Sequence, residues 1–138
     1  MPKHLDNQLC FLLYVTSKEI IRQYTLLLKP YDLTYTGYIT LLALGENEQI
    51  TVKELGQRLF LDSGTLTPLL KKLEAKGYIC RERSKQDERL MKIYLTEEGR
   101  HVRRELPAVS HQVMKQSNIS EQQFIQLKNV LQDILHNG

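Results

Sequence analysis

Two of the 138 residues are cysteines, and Cys10 lies in the run QLCFLLY at residues 8–14, among leucines and aromatic rings. A thiol can act as a nucleophile, and its thiolate is the form that peroxides oxidise. On a helix at about 100° per residue, Tyr14 falls roughly 40° to one side of Cys10, while Ser17 and Tyr24 fall roughly 20° and 40° to the other. Cysteine and phenols therefore share one helix face. A phenol hydroxyl that donates to a thiolate favours the charged form and lowers a thiol's pKa from its usual value of about 8.5. The same spacing also suits a small buried hydrophobe in an apolar helix, so two readings of Cys10 stand side by side. Cys80 lies in a strand-like run and reads as an ordinary strand residue.

A second constellation lies at mid-chain. Ser63, Gly64, Thr65 and Thr67 combine small side chains, which allow close approach, with hydroxyls. Together with the free N–H groups of a first helical turn they can bind phosphate oxygens. Lys71 and Lys72 add charge further along, and Arg81, Arg83, Lys85 and Arg89 gather in RERSKQDERL, with Lys92 close behind. An arginine on such a tip can reach a narrow minor groove or a phosphate. Any one of these features is an ordinary solvated surface; their conjunction points to double-stranded DNA.

The elements that must hold these residues follow from periodicity and punctuation. Leu5, Leu9, Leu12, Leu13, Ile20, Ile21 and Leu27 recur at helical spacing, which predicts one long helix from about Leu5 to Leu28, ending before Lys29-Pro30. A second helix is expected from about Thr34 to Leu44, where GENEQ breaks it. Thr51 and Glu54 have capping-box spacing and open a third helix to about Leu59. Asp62 caps a fourth helix from Ser63 to about Lys76, and Gly77 supplies its left-handed stop. Pro68 lies past the first turn of that helix, where it removes one hydrogen bond. YICRERS and LMKIYLT then read as two strands around the polar tip KQDER. Thr96 starts a fifth helix to about Gln116, which Pro107 should kink or divide, and Ser120 with Gln123 opens a last one to about His136. Two short helices, a further helix and a charged hairpin form a winged helix-turn-helix. The fold class is mainly α with a small β-hairpin wing, in one domain spanning 1–138. The winged core occupies about 34–95, flanked by helices at about 5–28 and 97–136. In this motif the helix beginning at Ser63 lies in the major groove.

Totals agree with that class. The chain has 41% hydrophobic residues, enough for a core, and a net charge of +3, which by itself says little about a polyanionic partner. Two distant cysteines without CxxC spacing argue against a disulfide framework, and His4, His101, His111 and His136 show no ligand spacing, so no metal or other cofactor is expected. No signal-peptide pattern and no membrane span is present, which leaves a cytoplasmic, soluble chain as the expectation. The apolar first and last helices are not needed to complete a winged helix. Their surplus surface calls for a partner, and Phe124, Leu127, Val130, Leu131, Ile134 and Leu135 recur at 3.6-residue spacing.

The stretch LDSGTLTPLLKKLEAKGYICRERSKQDERLMKIYLTEEG resembles the winged-helix core of the MarR family of transcriptional regulators, whose wing carries a D-x-R pattern matched by Asp87-Glu88-Arg89. With LCFLLYVTSKEI and LTYTGYITLLAL, the likeness extends over nearly the whole chain and is greatest to the organic-hydroperoxide-sensing OhrR-type and SarZ-like branch. The resemblance implies a homodimer built from the first and last helices and bound to a pseudo-palindromic operator, usually as a repressor. Two-fold symmetry would set the recognition helices about 34–36 Å apart. It also implies that Arg89 enters the minor groove, held by Asp87. Cys10 becomes the sensing thiol, held by Tyr24 and Tyr35 of the other subunit. Oxidation by an organic hydroperoxide would then give a sulfenic acid, followed by a mixed disulfide with a small thiol or by overoxidation. Residues 96–138 hold no cysteine to trap that state. A regulator of this kind is not an enzyme. The alternatives are a regulator that answers to a small aromatic ligand, with Cys10 incidental, and a thiol peroxidase.

Overall fold

The computed structural model describes residues 8–137, and the expected helix start at Leu5 lies outside the described residues. Helix α1 spans Leu9–Leu27, a 3-10 turn spans Lys29–Tyr31, and α2 spans Tyr35–Ala43. Strand β1 is Ile50–Thr51, followed by α3 at Val52–Leu59 and α4 at Ser63–Ala75. Strands β2 (Ile79–Arg83) and β3 (Met91–Leu95) precede α5 (Glu97–Gln116) and α6 (Glu121–Asn137). No helix among the described residues is long and apolar enough to cross a membrane.

Side-chain caps fix most of the helix starts. Oxygens of Thr34, Asp62 and Thr96 each accept the N–H three residues on, at 3.1, 2.8 and 2.9 Å. Such a cap contributes about 1 kcal/mol. The Ser120–Gln123 box is reciprocal, with both bonds formed at 2.9 and 3.1 Å. At Thr51 the hydroxyl accepts from the Glu54 N–H, but the Glu54 carboxylate accepts from the same hydroxyl and not from the Thr51 backbone, since Thr51 also ends β1. Gly77 adopts φ 83°, and the N–H groups of Gly77 and Tyr78 close α4 on the carbonyls of Glu74 and Leu73.

The hairpin expected from the sequence gains a third strand. The antiparallel order is β1-β3-β2, with Ile50 opposite Ile93 and Arg81 on the other side of Ile93. Two residues are too few for a period-2 signal, yet they tie the start of α3 to the base of the wing. Pro107 does not divide the fifth helix: α5 runs unbroken through it. Proline faces solvent there, while Val102, Leu106, Val109 and Val113 bury the opposite stripe and hold both halves in line.

One core unites α2 to α5 with the sheet. Leu41, Leu55, Leu66, Leu70, Leu73, Ile93, Leu95 and Leu106 are almost fully buried in it. Helix α1 contributes no buried residue, and on α6 only Leu131 is even half-buried through His136. Two contacts lock the scaffold. Arg58 makes a two-pronged pair with Glu48 at 2.6 and 2.9 Å and donates to the Ala43 carbonyl at the end of α2. At the start of α5, Gly99 lies so close to the Tyr78 carbonyl that an added Cβ would stand 2.0 Å from its oxygen.

Replacing Gly99 with Ala should lower the unfolding free energy by about 1–3 kcal/mol, read by urea titration, because the backbone of Tyr78 cannot retreat. The Arg58 hydrogen bond, helped by the Gly45 N–H, holds the Glu48 carboxyl down to about 2, below its ordinary 4.5. A depressed folded value stabilises fully above the unfolded value and fades as pH falls toward the folded one. Thermal scans between about pH 5 and about pH 2 should therefore show the wild type losing stability more steeply than Glu48→Gln.

Candidate nucleic-acid interface and thiol site

Helix α4 presents one face to the core and one to solvent. Leu66, Leu70 and Leu73 anchor it in the interior. Ser63, Gly64, Thr65, Pro68, Lys71 and Lys72 are exposed, and Thr67 is half-buried between the two faces. Asp62 accepts the Thr65 N–H at 2.8 Å, and the Gly64 N–H also helps to hold its carboxyl below the usual range. The Pro68 ring has no N–H to offer the Gly64 carbonyl, yet the helix continues unbroken because its leucines fix it below. This is a ridge of hydroxyls and two ammonium groups on a rigid base.

The wing carries its charges unequally. Arg81 is committed to Glu74 of α4 at 3.0 and 3.2 Å, which ties the wing to that helix. Arg83 donates to the Glu88 carbonyl at 3.0 Å and so braces the tip. Lys85 is exposed. The Arg89 side chain is 89% exposed. Its Nε and Nη2 donate to the two oxygens of Asp87 at 3.1 Å each, and its backbone N–H donates to Asp87 Oδ1 at the same distance. The Arg89 guanidinium in turn holds the Asp87 carboxyl below the usual carboxylate range. A flexible cation is thereby aimed outward with fewer rotamers to lose on binding. Ser84, overlooked in the sequence, makes this possible: it is buried, and its hydroxyl accepts from the N–H groups of Gln86 and Asp87 at 3.2 and 3.4 Å. A serine two and three residues before those donors was the available signal.

Cys10 is exposed in the first turn of α1, beside exposed Leu9, Leu13 and Tyr14 and half-buried Phe11. Tyr24 is fourteen residues further along the same helix, about 21 Å away at 1.5 Å per residue, so it cannot touch Cys10 of its own chain. Instead the structure brings Tyr24 and Tyr35 together, with ring centroids 5.1 Å apart. Tyr38 joins them at 4.9 and 5.7 Å, and its hydroxyl is hydrogen-bonded to Ser110 of α5. Burial pushes the Tyr35 and Tyr38 hydroxyls up from their ordinary value. Tyr38 and Ser110 were not singled out from sequence; Tyr35 and Tyr38 at i, i+3 were the visible hint. Along α1 and α6, Leu9, Leu12, Leu13, Ile20, Leu127 and Leu131 line an open apolar groove of about 360 Å³.

Comparison with known proteins agrees with this layout. Residues 22–106 match the family described as transcriptional regulator SarA/Rot. The chain is 53% identical over 135 residues to the HTH-type transcriptional regulator SarZ of Staphylococcus haemolyticus (strain JCSC1435), covering 98% of this chain and 92% of that protein. Among solved structures, reduced AbfR bound to DNA is similar with a TM-score of 0.78 at 34% identity, covering 97% of this chain and 92% of that one. Overoxidized AbfR bound to DNA is similar with a TM-score of 0.75, also at 34% identity, covering 98% and 96%. The apo form of MarR from E. coli shares the fold, with a TM-score of 0.75 at 24% identity over 93% of this chain and 97% of that one. The chain belongs to the SarA/Rot family and is a DNA-binding transcriptional regulator of the SarZ/MarR winged-helix type.

Proposed function

We propose that this regulator binds a pseudo-palindromic double-stranded operator as a homodimer, acts there as a repressor, and is released when an organic hydroperoxide oxidises Cys10. The observation that carries the reading is the exposed Cys10 set in apolar helix surface that one protomer leaves uncovered. A second copy, joined through α1 and α6, covers that surface and brings its own Tyr24 and Tyr35 to the thiol. The helix rise of about 21 Å from Cys10 to Tyr24 within one chain is in keeping with tyrosines supplied across the dimer.

On this reading the Cys10 thiolate attacks one peroxide oxygen, the O–O bond breaks, and the alkoxide leaves and takes a proton as the alcohol. Cys10 is left as a sulfenic acid. A small thiol then condenses with it to a mixed disulfide and water, or further peroxide overoxidises it. The new bulk or charge disturbs the helix seam and shifts the two wings relative to one another. Leu9, Leu13 and Phe11 favour an organic over a small polar oxidant. In the duplex, Ser63, Gly64, Thr65, Thr67, Lys71 and Lys72 of α4 face the major groove, Arg89 enters the minor groove, and Arg83 and Lys85 support the wing. The apolar groove between α1 and α6 favours a second reading, a regulator answering to a small aromatic ligand, in which Cys10 has no part. A thiol peroxidase is distinguished by consuming peroxide catalytically rather than once per thiol.

Two measurements test the proposal on a duplex selected from a random pool by the reduced protein. Cumene hydroperoxide should release the wild type, and Cys10→Ser should bind equally well yet ignore the oxidant; an undiminished response in the variant refutes the sensing role. Replacing Arg89 with Ala should weaken binding and flatten the slope of log K against log salt by about 0.9 per subunit. Its melting temperature should not move, because the pair it removes is solvent-exposed.

A further inference from the structure

The turn from Leu28 to Leu33 connects α1 to α2, and it is flanked by Tyr24 and Tyr35, the two phenols that hold the thiol on the proposal above. Two side chains from the end of α4 cross to this turn. The Tyr78 hydroxyl donates to the Tyr31 carbonyl at 2.6 Å. The Lys76 ammonium donates to the Asp32 carbonyl and stands 3.7 Å from the Asp32 carboxylate. We propose that Lys76 and Tyr78 act as a clasp that carries movement of Tyr24 and Tyr35 to the recognition helix when Cys10 is oxidised. The inference rests on the thiol-sensing reading and supplies the link between its thiol and its DNA-reading helix.

On the near side, the phenols are tied closely to the turn. The Leu28 N–H donates to the Tyr24 carbonyl at 2.8 Å, so Tyr24 lies one helical turn from the clasp, and the Leu33 N–H returns to the Leu28 carbonyl at 3.4 Å. Leu28 and Leu33 are buried, which pins both ends of the connection in the core. Between them Asp32 adopts the left-handed region, at φ 54° and ψ 44°, although its side chain is 84% exposed and draws no burial from that conformation. The carbonyls of Tyr31 and Asp32 both accept from the end of α4, so the turn presents consecutive backbone acceptors to one partner. Both donors are side chains, which leaves the backbone of α4 free to close its own last turn.

On the far side the clasp is rigid. Tyr78 is buried, its N–H donates to the Leu73 carbonyl at 3.1 Å, and its carbonyl accepts the Thr96 N–H at the same distance, which joins the end of α4 to the start of α5. Lys76 is the C-cap of α4, with its N–H on the Lys72 carbonyl at 3.0 Å. The helix is 13 residues long, so Ser63 at its head lies about 20 Å from the clasp. A stiff rod displaced at one end changes its angle at the other, which alters how Ser63, Thr65 and Lys71 meet a duplex. Helix α1 itself packs chiefly on α2 and α5, and the clasped turn is where its motion reaches α4 through hydrogen bonds.

The test uses the full-length protein and the selected duplex, before and after cumene hydroperoxide, with Cys10 oxidation followed by mass spectrometry. Tyr78→Phe keeps the ring and removes its bond to Tyr31, and Lys76→Met keeps most of the aliphatic stem. Reduced, the double variant should bind within about twofold of the wild type; once Cys10 is oxidised at the wild-type rate, its ratio of oxidised to reduced Kd should be about tenfold smaller. If the double variant melts below the assay temperature, the same ratio is read on each single variant, where it should fall about threefold. A ratio equal to that of the wild type, with Cys10 fully oxidised, overturns the clasp and leaves the sensing reading standing. Weaker binding by the reduced variants would make Lys76 and Tyr78 part of the placement of α4 rather than of its response, and would also overturn it. Undiminished binding by fully oxidised wild type would instead sink the sensing reading, and the clasp falls with it.

Discussion

The constraint on which the rest depends is that α1 and α6 have apolar faces and no core to put them in. Leu9, Leu12, Leu13, Val15 and Leu26 on one helix, and Phe124, Ile125, Leu127, Val130 and Leu135 on the other, stand in solvent in a single protomer. Contiguous apolar surface of this kind is unfavourable in water and marks a contact surface. Among the described residues, the core of α2 to α5 with the sheet takes only the half-buried Tyr24 and Leu27 from the end of α1 and nothing from α6. Cys10 stands exposed in the first turn of the same α1, next to Leu9.

The tyrosine cluster gives that seam a route into the winged core. Tyr24 stands on α1, Tyr35 and Tyr38 on α2, and Ser110 on α5, so three helices meet through rings and one hydroxyl pair. Helix α2 in turn is held at its far end, where Arg103 of α5 donates to the Leu41 and Leu42 carbonyls at 3.0 and 3.1 Å. Arg58 of α3 reaches the adjacent Ala43 carbonyl. A displacement at the tyrosines thus has rigid elements to act on, which the proposed release mechanism needs.

At the other end the protein separates holding from presenting. Arg81 and Arg83 hold, through Glu74 and the Glu88 carbonyl, and Ser84 shapes the loop from within. Arg89 presents, restrained by Asp87 alone. The same division appears at the α3–α4 turn, where Leu61 goes in and Phe60 stays out. Composition treats the three arginines alike, since nothing in RERSKQDER states which charges will find partners inside the chain.

The amino-acid order alone determined the helices, the two strands of the wing and their sequence. Capping residues Thr34, Thr51, Asp62, Thr96 and Ser120, the Gly77 stop and the change from helical to strand periodicity after it act within a few residues of chain, so they can be read locally. The D-x-R wing and the hydroxyl-rich head of α4 are local in the same sense. Tertiary structure decided what depends on distant partners: β1 exists because Ile50 meets Ile93, and α5 continues through Pro107 because its valines and leucine are gripped below. Tyr24 joins Tyr35 and Tyr38 because α1 lies across α2. Those outcomes come from packing between residues far apart in the chain, whose energies no short window of sequence contains.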